Sequence, residues 1–234
     1  MSSNKIIAFT TDIDWACDEI ILDLLNIFEE NKIKLTIFST HKTEVLRNIN
    51  EDLFEIGIHP NFNLLLNRDG KNADEIMNDM LSIHPDSKGL RSHSGMRSSS
   101  LCELFKQKGL VYESNILLPY NNTIKPFVLW NGLYQIPFNW EDDVHFLYNK
   151  SFENSGLNIL DDNIVFNFHP IHVFLNSENQ DRYLSAKPYY KDYKRLKDFV
   201  NKSSVKGSKD LLLRTINEVL KNNIKTHNLI DLVN

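Results

Sequence analysis

The sequence predicts an α/β fold on a mostly parallel sheet, and three observations carry that prediction. Short apolar runs alternate with amphipathic stretches from residue 5 to residue 116. Acids, histidines and an arginine recur where the apolar runs end. After residue 116 the rhythm breaks at Asn131-Gly132, a hairpin signal set between two apolar runs. Strand–helix alternation implies parallel pairing, either doubly wound or closed as a barrel.

The elements follow in order. "KIIAFTT" reads as a strand, and "CDEIILDLLNIFEENK" as a helix with Ile20, Leu24 and Phe28 on one face. "KLTIFST" is a second strand, followed by a short helix around "TEVLRNI", and "LFEIGIH" is a third strand. Asn72 and Glu75 form a capping pair that opens "NADEIMNDMLSI". "GLRSH" is a short fourth strand. Ser100 and Glu103 have capping-box spacing in the next helix, which Gly109 closes before the strand "LVYESNI". "FVLWNGLYQIPF" is the hairpin, and "NIVFNFHP" is an almost continuously apolar strand of the kind buried on both faces. Residues 176–207 are polar and rich in Tyr and Lys, which predicts a surface excursion. "SKDLLLRTINEVLKNN" is a closing amphipathic helix. No repeat or linker divides the chain, so one domain over residues 1–234 is expected.

Composition narrows the function. The chain has 234 residues, 41% of them hydrophobic and 24% charged, with 14 Phe to supply a core. A formal charge of -5 argues against a nucleic-acid partner, which calls for a basic stripe. Cys17 and Cys102 fall in predicted helices and form no metal-type cluster. The amino-terminal stretch has no apolar run of signal-peptide length, and no window approaches the ~20 apolar residues of a membrane span. A cytoplasmic protein is expected; the oligomeric state is left open.

In a parallel α/β fold the carboxyl ends of the strands carry the site. Those ends hold Asp12 and Asp14, then His41, His59, Arg91 and His93, the stretch Trp140-Glu141-Asp142-Asp143, and His169. Each alone has a bland reading: Asp14 or Asp18 as a helix cap, a histidine as a loop residue, Arg91 as a structural ion pair with Asp12. Together on one edge they point to a metal site, because aspartate and histidine suit zinc and similar divalent ions.

The order of these motifs resembles the polysaccharide deacetylases of the NodB-homology type (carbohydrate esterase family 4), and most of all their WbmS-like branch. "AFTTDID" resembles the first motif, "GIHPNFN" the second, "RSHSG" the third, "IPFNWEDD" the fourth and "FNFHPIH" the fifth. The resemblance implies an irregular (β/α) barrel of about seven parallel strands with the hairpin added. It implies Asp12 as catalytic base and His169 as general acid. The second acid of the first motif falls one residue late, on Asp14, and Asn63 stands where a second histidine is expected after His59. The implied metal ligands are therefore Asp14 and His59, completed by His41 or by Asn63. Arg91 would orient Asp12, Asp142 would orient His169, His93 would stand behind the ligands, and Trp140 would offer a flat face to a sugar ring.

The activity so implied is zinc-dependent removal of an N-acetyl group from a nucleotide- or lipid-linked sugar precursor of surface polysaccharide. The alternatives are a carbohydrate-binding relative without catalysis and another metal-dependent barrel hydrolase.

Overall fold

The computed structural model describes residues 5–67 and 70–233; Met1–Asn4 of the amino-terminal stretch lie outside the described residues. The first half contains β1 (Ile7–Asp12), α1 (Asp18–Asn31), β2 (Leu35–Ser39), β3 (Phe54–Ile58), α2 (Ala73–Ile83), β4 (Gly89–Leu90), α3 (Ser99–Gln107) and β5 (Tyr112–Glu113). The second contains β6 (Phe127–Val128), β7 (Tyr134–Gln135), β8 (Trp140–Glu141), α4 (Asp142–Leu147), β9 (Ile164–Asn167), α5 (Pro170–Leu175), α6 (Gln180–Ala186), α7 (Tyr193–Leu196) and α8 (Ser208–Lys221).

Among the described residues the strands form one nine-stranded sheet in the order β6-β7-β5-β4-β3-β2-β1-β9-β8. Every pairing is parallel except β6 with β7, the expected hairpin. The sheet curls toward closure, because Leu117 on the β5 side bridges Phe138 on the approach to β8. This is a curled, mostly parallel α/β sheet of the expected kind, with nine strands rather than about seven. The hairpin's second strand and Trp140–Glu141 both join the parallel run.

Alternation along each strand divides outside from inside. Ile7, Phe9, Leu35, Ile37, Ile164 and Phe166 pack outward with Ile20, Leu24 and Phe28 of α1 and with residues of α5 and α8. Ala8, Phe38, Tyr112, Phe138 and Val165 fill the interior. Two glycines make that interior fit. A Cβ on Gly89 would lie 1.9 Å from Tyr112 Cζ, and one on Gly57 would lie 2.7 Å from Phe38 Cδ1. At the amino-terminal end the interior is floored by Glu55, whose carboxylate accepts from Tyr112 Oη (2.7 Å), Thr36 Oγ1 (2.8 Å) and the Ile230 N–H (3.1 Å). Leu229 of the carboxyl-terminal tail is fully buried there, a plug that the closing helix did not foretell.

Local expectations are met with some corrections. Asn72 and Glu75 form the predicted capping box. The cap of α3 is Ser98, accepting from the Leu101 N–H, rather than Ser100. "TEVLRNI" forms only a 3-10 turn at Glu44–Leu46. Residues 176–207 contain α6 and α7 and pack Tyr183, Tyr190 and Tyr193 against the main core.

Gly89→Ala is expected to cost about 1–3 kcal/mol in urea unfolding, through overpacking against Tyr112. In a Tyr112→Leu background most of that cost should vanish. An equal cost in both backgrounds would contradict this account of the interior.

Candidate active site

Polar residues take most of the inward positions at the carboxyl ends of the strands: Thr10 and Asp12 on β1, His59 after β3, Arg91 after β4, Glu141 on β8, and Asn167 and His169 on and after β9, with Phe38 of β2 and Phe138 as apolar neighbours. Register places Thr10, Asn167 and Glu141 in one row across three strands. The same period of two that fills the interior with apolar side chains thus delivers a polar layer at its mouth.

Asp14 reaches this layer by an unusual turn. Ile13, the residue that displaces the second acid of the motif, is fully buried in the outer core. Asp14 and Trp15 then adopt φ of 37° and 57°, both left-handed. Such a conformation costs a non-glycine residue about 1–2 kcal/mol. The turn is held by Ala16 N–H to Ile13 O (2.8 Å), Trp15 N–H to Thr40 Oγ1 (3.0 Å) and Tyr190 Oη to Asp14 O (2.9 Å). Asp14 does not cap α1, whose N-cap is Cys17 with no side-chain bond.

The turn brings Asp14 Oδ1 to 3.3 Å from His59 Nε2 and 3.3 Å from His93 Nδ1, and these two nitrogens are 3.3 Å apart. Three donors about 3.3 Å apart are spaced as the edges of a tetrahedron whose centre lies about 2.0–2.1 Å from each, the zinc–nitrogen and zinc–oxygen distance. Asp14 Oδ1 is buried and has no hydrogen-bond partner among the described residues. Burial would raise the Asp14 carboxyl, but His59 and His93 beside it and the charge of His169 hold it far below the usual range. The Asp14 carboxylate, 3.3 Å away, in turn raises His93. The set fits a divalent cation.

Asp12 lies beside this triangle, its Oδ1 3.7 Å from His59 Nδ1, and is held by partners of its own. Arg91, 2% exposed, is sandwiched between the rings of Phe38 (4.6 Å) and Phe138 (4.1 Å). Its Nη1 donates to Asp12 Oδ1 (3.2 Å) and Thr10 Oγ1 (2.9 Å), and its other nitrogens are held by Ser114. Asn167 Nδ2 donates to both Asp12 Oδ2 (3.0 Å) and Glu141 Oε1 (3.0 Å), standing between two carboxyls. Burial pushes Glu141 up to about 7.

On the opposite wall, His169 Nδ1 is 2.7 Å from Asp142 Oδ1, while the other Asp142 oxygen accepts from the His169 N–H (2.9 Å) and Ser208 Oγ (3.2 Å). His169 Nε2 is thereby aimed at the cleft, 3.8 Å from Asp14 Oδ2. Burial would lower the imidazole, but Asp142, Asp143 and Asp14 raise it well above its usual value. Asp143, its side chain 51% exposed, is fixed by His172 Nε2 at 2.8 Å.

Asp12, Asp14, His59, Arg91, His93 and His169 line a cleft of about 440 Å3, within the span of small-molecule sites. A larger groove of about 830 Å3 lies elsewhere, lined by Lys34, Arg47, Glu51 and Asp231 among others; its charges are of both signs and include none of the clustered ligand atoms.

The structure thus brings together Asp12, Asp14, His59, Arg91, His93, Asp142 and His169. It does not bring His41 to the triangle; that ring bonds Thr40 Oγ1 at 2.8 Å instead. Asn63 Nδ2 is 3.2 Å from Ser94 Oγ and braces the loop that carries His93. Trp140 points outward, 1% exposed, with its ring 4.6 Å from that of Phe168, so it offers no face to a ligand in the cleft. Asn167 was missed, and Glu141 was named at its strand end but given no role, although both sit on the inward parity of their strands.

No curated protein matches the chain. The sequence model of the WbmS-like polysaccharide deacetylases matches residues 9–187. The crystal structure of WbmS from Bordetella bronchiseptica, assigned as a polysaccharide deacetylase involved in O-antigen biosynthesis, is 34% identical, with a TM-score of 0.86 over 92% of this chain and 91% of that one. Two more distant structures share the fold. The Bc1960 peptidoglycan N-acetylglucosamine deacetylase is 10% identical, with a TM-score of 0.55 over 99% of this chain and 88% of that one. BA3943, a family 4 pseudoenzyme from Bacillus anthracis, is also 10% identical, with a TM-score of 0.50 over 100% of this chain and 67% of that one. The curled sheet, the acid- and histidine-lined mouth and the matched motifs agree: the chain belongs to the WbmS-like polysaccharide deacetylase family.

Proposed function

We propose that the protein is a metal-dependent N-deacetylase acting on an N-acetylated, nucleotide- or lipid-linked sugar precursor of surface polysaccharide. The observation that carries this reading is the 3.3 Å triangle of Asp14 Oδ1, His59 Nε2 and His93 Nδ1. Family membership and the likeness to a protein assigned to O-antigen biosynthesis support the substrate class. Asp14, His59 and His93 would hold the ion, and zinc is the one this donor set suits best. Such an ion supplies Lewis-acid activation of a water and of the acetyl carbonyl.

The remaining steps belong to the chain. Asp12 accepts the proton of the attacking water, and Arg91 and Asn167 hold its two oxygens in place for that transfer. His169 keeps its Nδ1 proton on Asp142 and delivers the Nε2 proton to the leaving nitrogen, which would otherwise depart as a poor anionic leaving group. The products are acetate and a free amino sugar.

Two predictions follow from these assignments. His59→Ala and His93→Ala should each lose zinc on dialysis while keeping the wild-type circular dichroism, since neither side chain belongs to an apolar cluster. Asp12→Asn and His169→Ala should keep substrate binding but lose on the order of 10²–10⁴ in acetate release, with Asp12→Asn retaining the metal. The assay needs a panel of N-acetylated nucleotide- and lipid-linked sugars. A wild-type protein that carries metal and binds such sugars, yet releases acetate from none, would be a carbohydrate-binding relative instead.

A further inference from the structure

We infer that Tyr190 is a positioning residue for Asp14, tying the segment after α6 to the affinity of the site for a divalent ion. The inference rests on the metal-dependent reading above. Tyr190 lies just beyond the stretch matched by the family model, which ends at residue 187.

Asp14 and Trp15 are consecutive non-glycine residues in the left-handed region. A turn of this kind persists only where its surroundings over-determine it. Two of its hydrogen bonds are local to the ends of β1 and β2: Ala16 N–H to Ile13 O, and Trp15 N–H to Thr40 Oγ1. His41 Nδ1, 2.8 Å from the same hydroxyl, orients Thr40. The third bond comes from 176 positions away, where Tyr190 Oη donates to the Asp14 carbonyl at 2.9 Å.

Tyr190 is not a swinging surface group. It packs against the main core, with its ring 6.4 Å from Tyr183, whose ring is 5.0 Å from His172. The turn it braces carries one ligand and supports another, since the Trp15 ring lies edge-on to His93 with centroids 5.0 Å apart. Removing the hydroxyl strips the Asp14 carbonyl of its donor. The turn is then free to relax and carry the carboxylate out of register with the two imidazoles. Hydrogen-bond partners behind metal ligands typically contribute ~10–100-fold in affinity.

The test is zinc affinity by competition with a chromophoric chelator, measured with the melting temperature of the metal-free protein for wild type and Tyr190→Phe. The expected result is a roughly 10–100-fold weaker affinity in the variant, an unchanged melting temperature, and recovery of acetate release at saturating zinc. Tyr190→Leu, which also removes the ring, is the control. Affinity kept in the phenylalanine variant but lost in the leucine variant assigns the role to packing and overturns the inference. So does lower stability at wild-type affinity. A wild-type protein that takes up no zinc overturns the metal reading and this inference together. Equal, tight zinc binding by wild type and Tyr190→Phe overturns this inference alone.

Discussion

The buried guanidinium of Arg91 is the charge on which the mouth of the barrel depends. Asp12, Asp14, Glu141 and Asp142 all crowd the carboxyl ends of neighbouring strands, where carboxylates are expensive to desolvate. Arg91 answers the most enclosed side of that crowd. It is held by two phenyl faces and the Ser114 backbone and side chain, so its charge sits fixed against Asp12. Removing one partner of such a pair leaves a buried charge uncompensated, at a cost of about 3–5 kcal/mol. The pair therefore serves structure and chemistry at once: it keeps Asp12 oriented beside the Asp14–His59–His93 triangle, with Asp12 Oδ1 3.7 Å from His59 Nδ1.

The division of labour among the carboxyls follows from their neighbours. Asp14 faces two imidazoles and is held far below its usual range, as suits a metal ligand. Glu141 is buried, with an amide shared with Asp12, and its burial pushes it up to about 7. Asp142 is turned away from the cleft by bonds to the backbone and ring of His169 and to Ser208, which leaves one nitrogen of His169 facing inward. Environment rather than residue type assigns each acid its part.

Much of this was legible in the sequence. The strand exits pointed to Asp12, His59, Arg91 and His169, because polar residues closing apolar runs must be accommodated at the one solvated edge of a parallel sheet. The hairpin at Asn131-Gly132 declared itself through its turn chemistry. Trp140 was misread on parity: it precedes the inward Glu141 by one position, so it must point outward. Motif spacing favoured Asn63 and the histidine after β2 as companions of Asp14 and His59, whereas the fold places His93 beside them. His93 reaches Asp14 only through the turn at Ser92–Gly95, where Ser94 is also left-handed with φ of 58°. The left-handed pair at Asp14 and Trp15 had no sequence signal, since neither residue is glycine and the groups that hold it, Thr40 and Tyr190, are distant in the chain. The Glu55 floor and its carboxyl-terminal plug were hidden for the same reason.

The central claim is that one ion sits at the meeting point of Asp14, His59 and His93. Diffraction from crystals of the zinc-loaded protein, with data collected at the zinc absorption edge, tests it most directly. The account predicts a single strong anomalous peak about 2.0–2.2 Å from Asp14 Oδ1, His59 Nε2 and His93 Nδ1. A peak at His41, or among Asp142, His169 and His172, with the triangle empty, would contradict it.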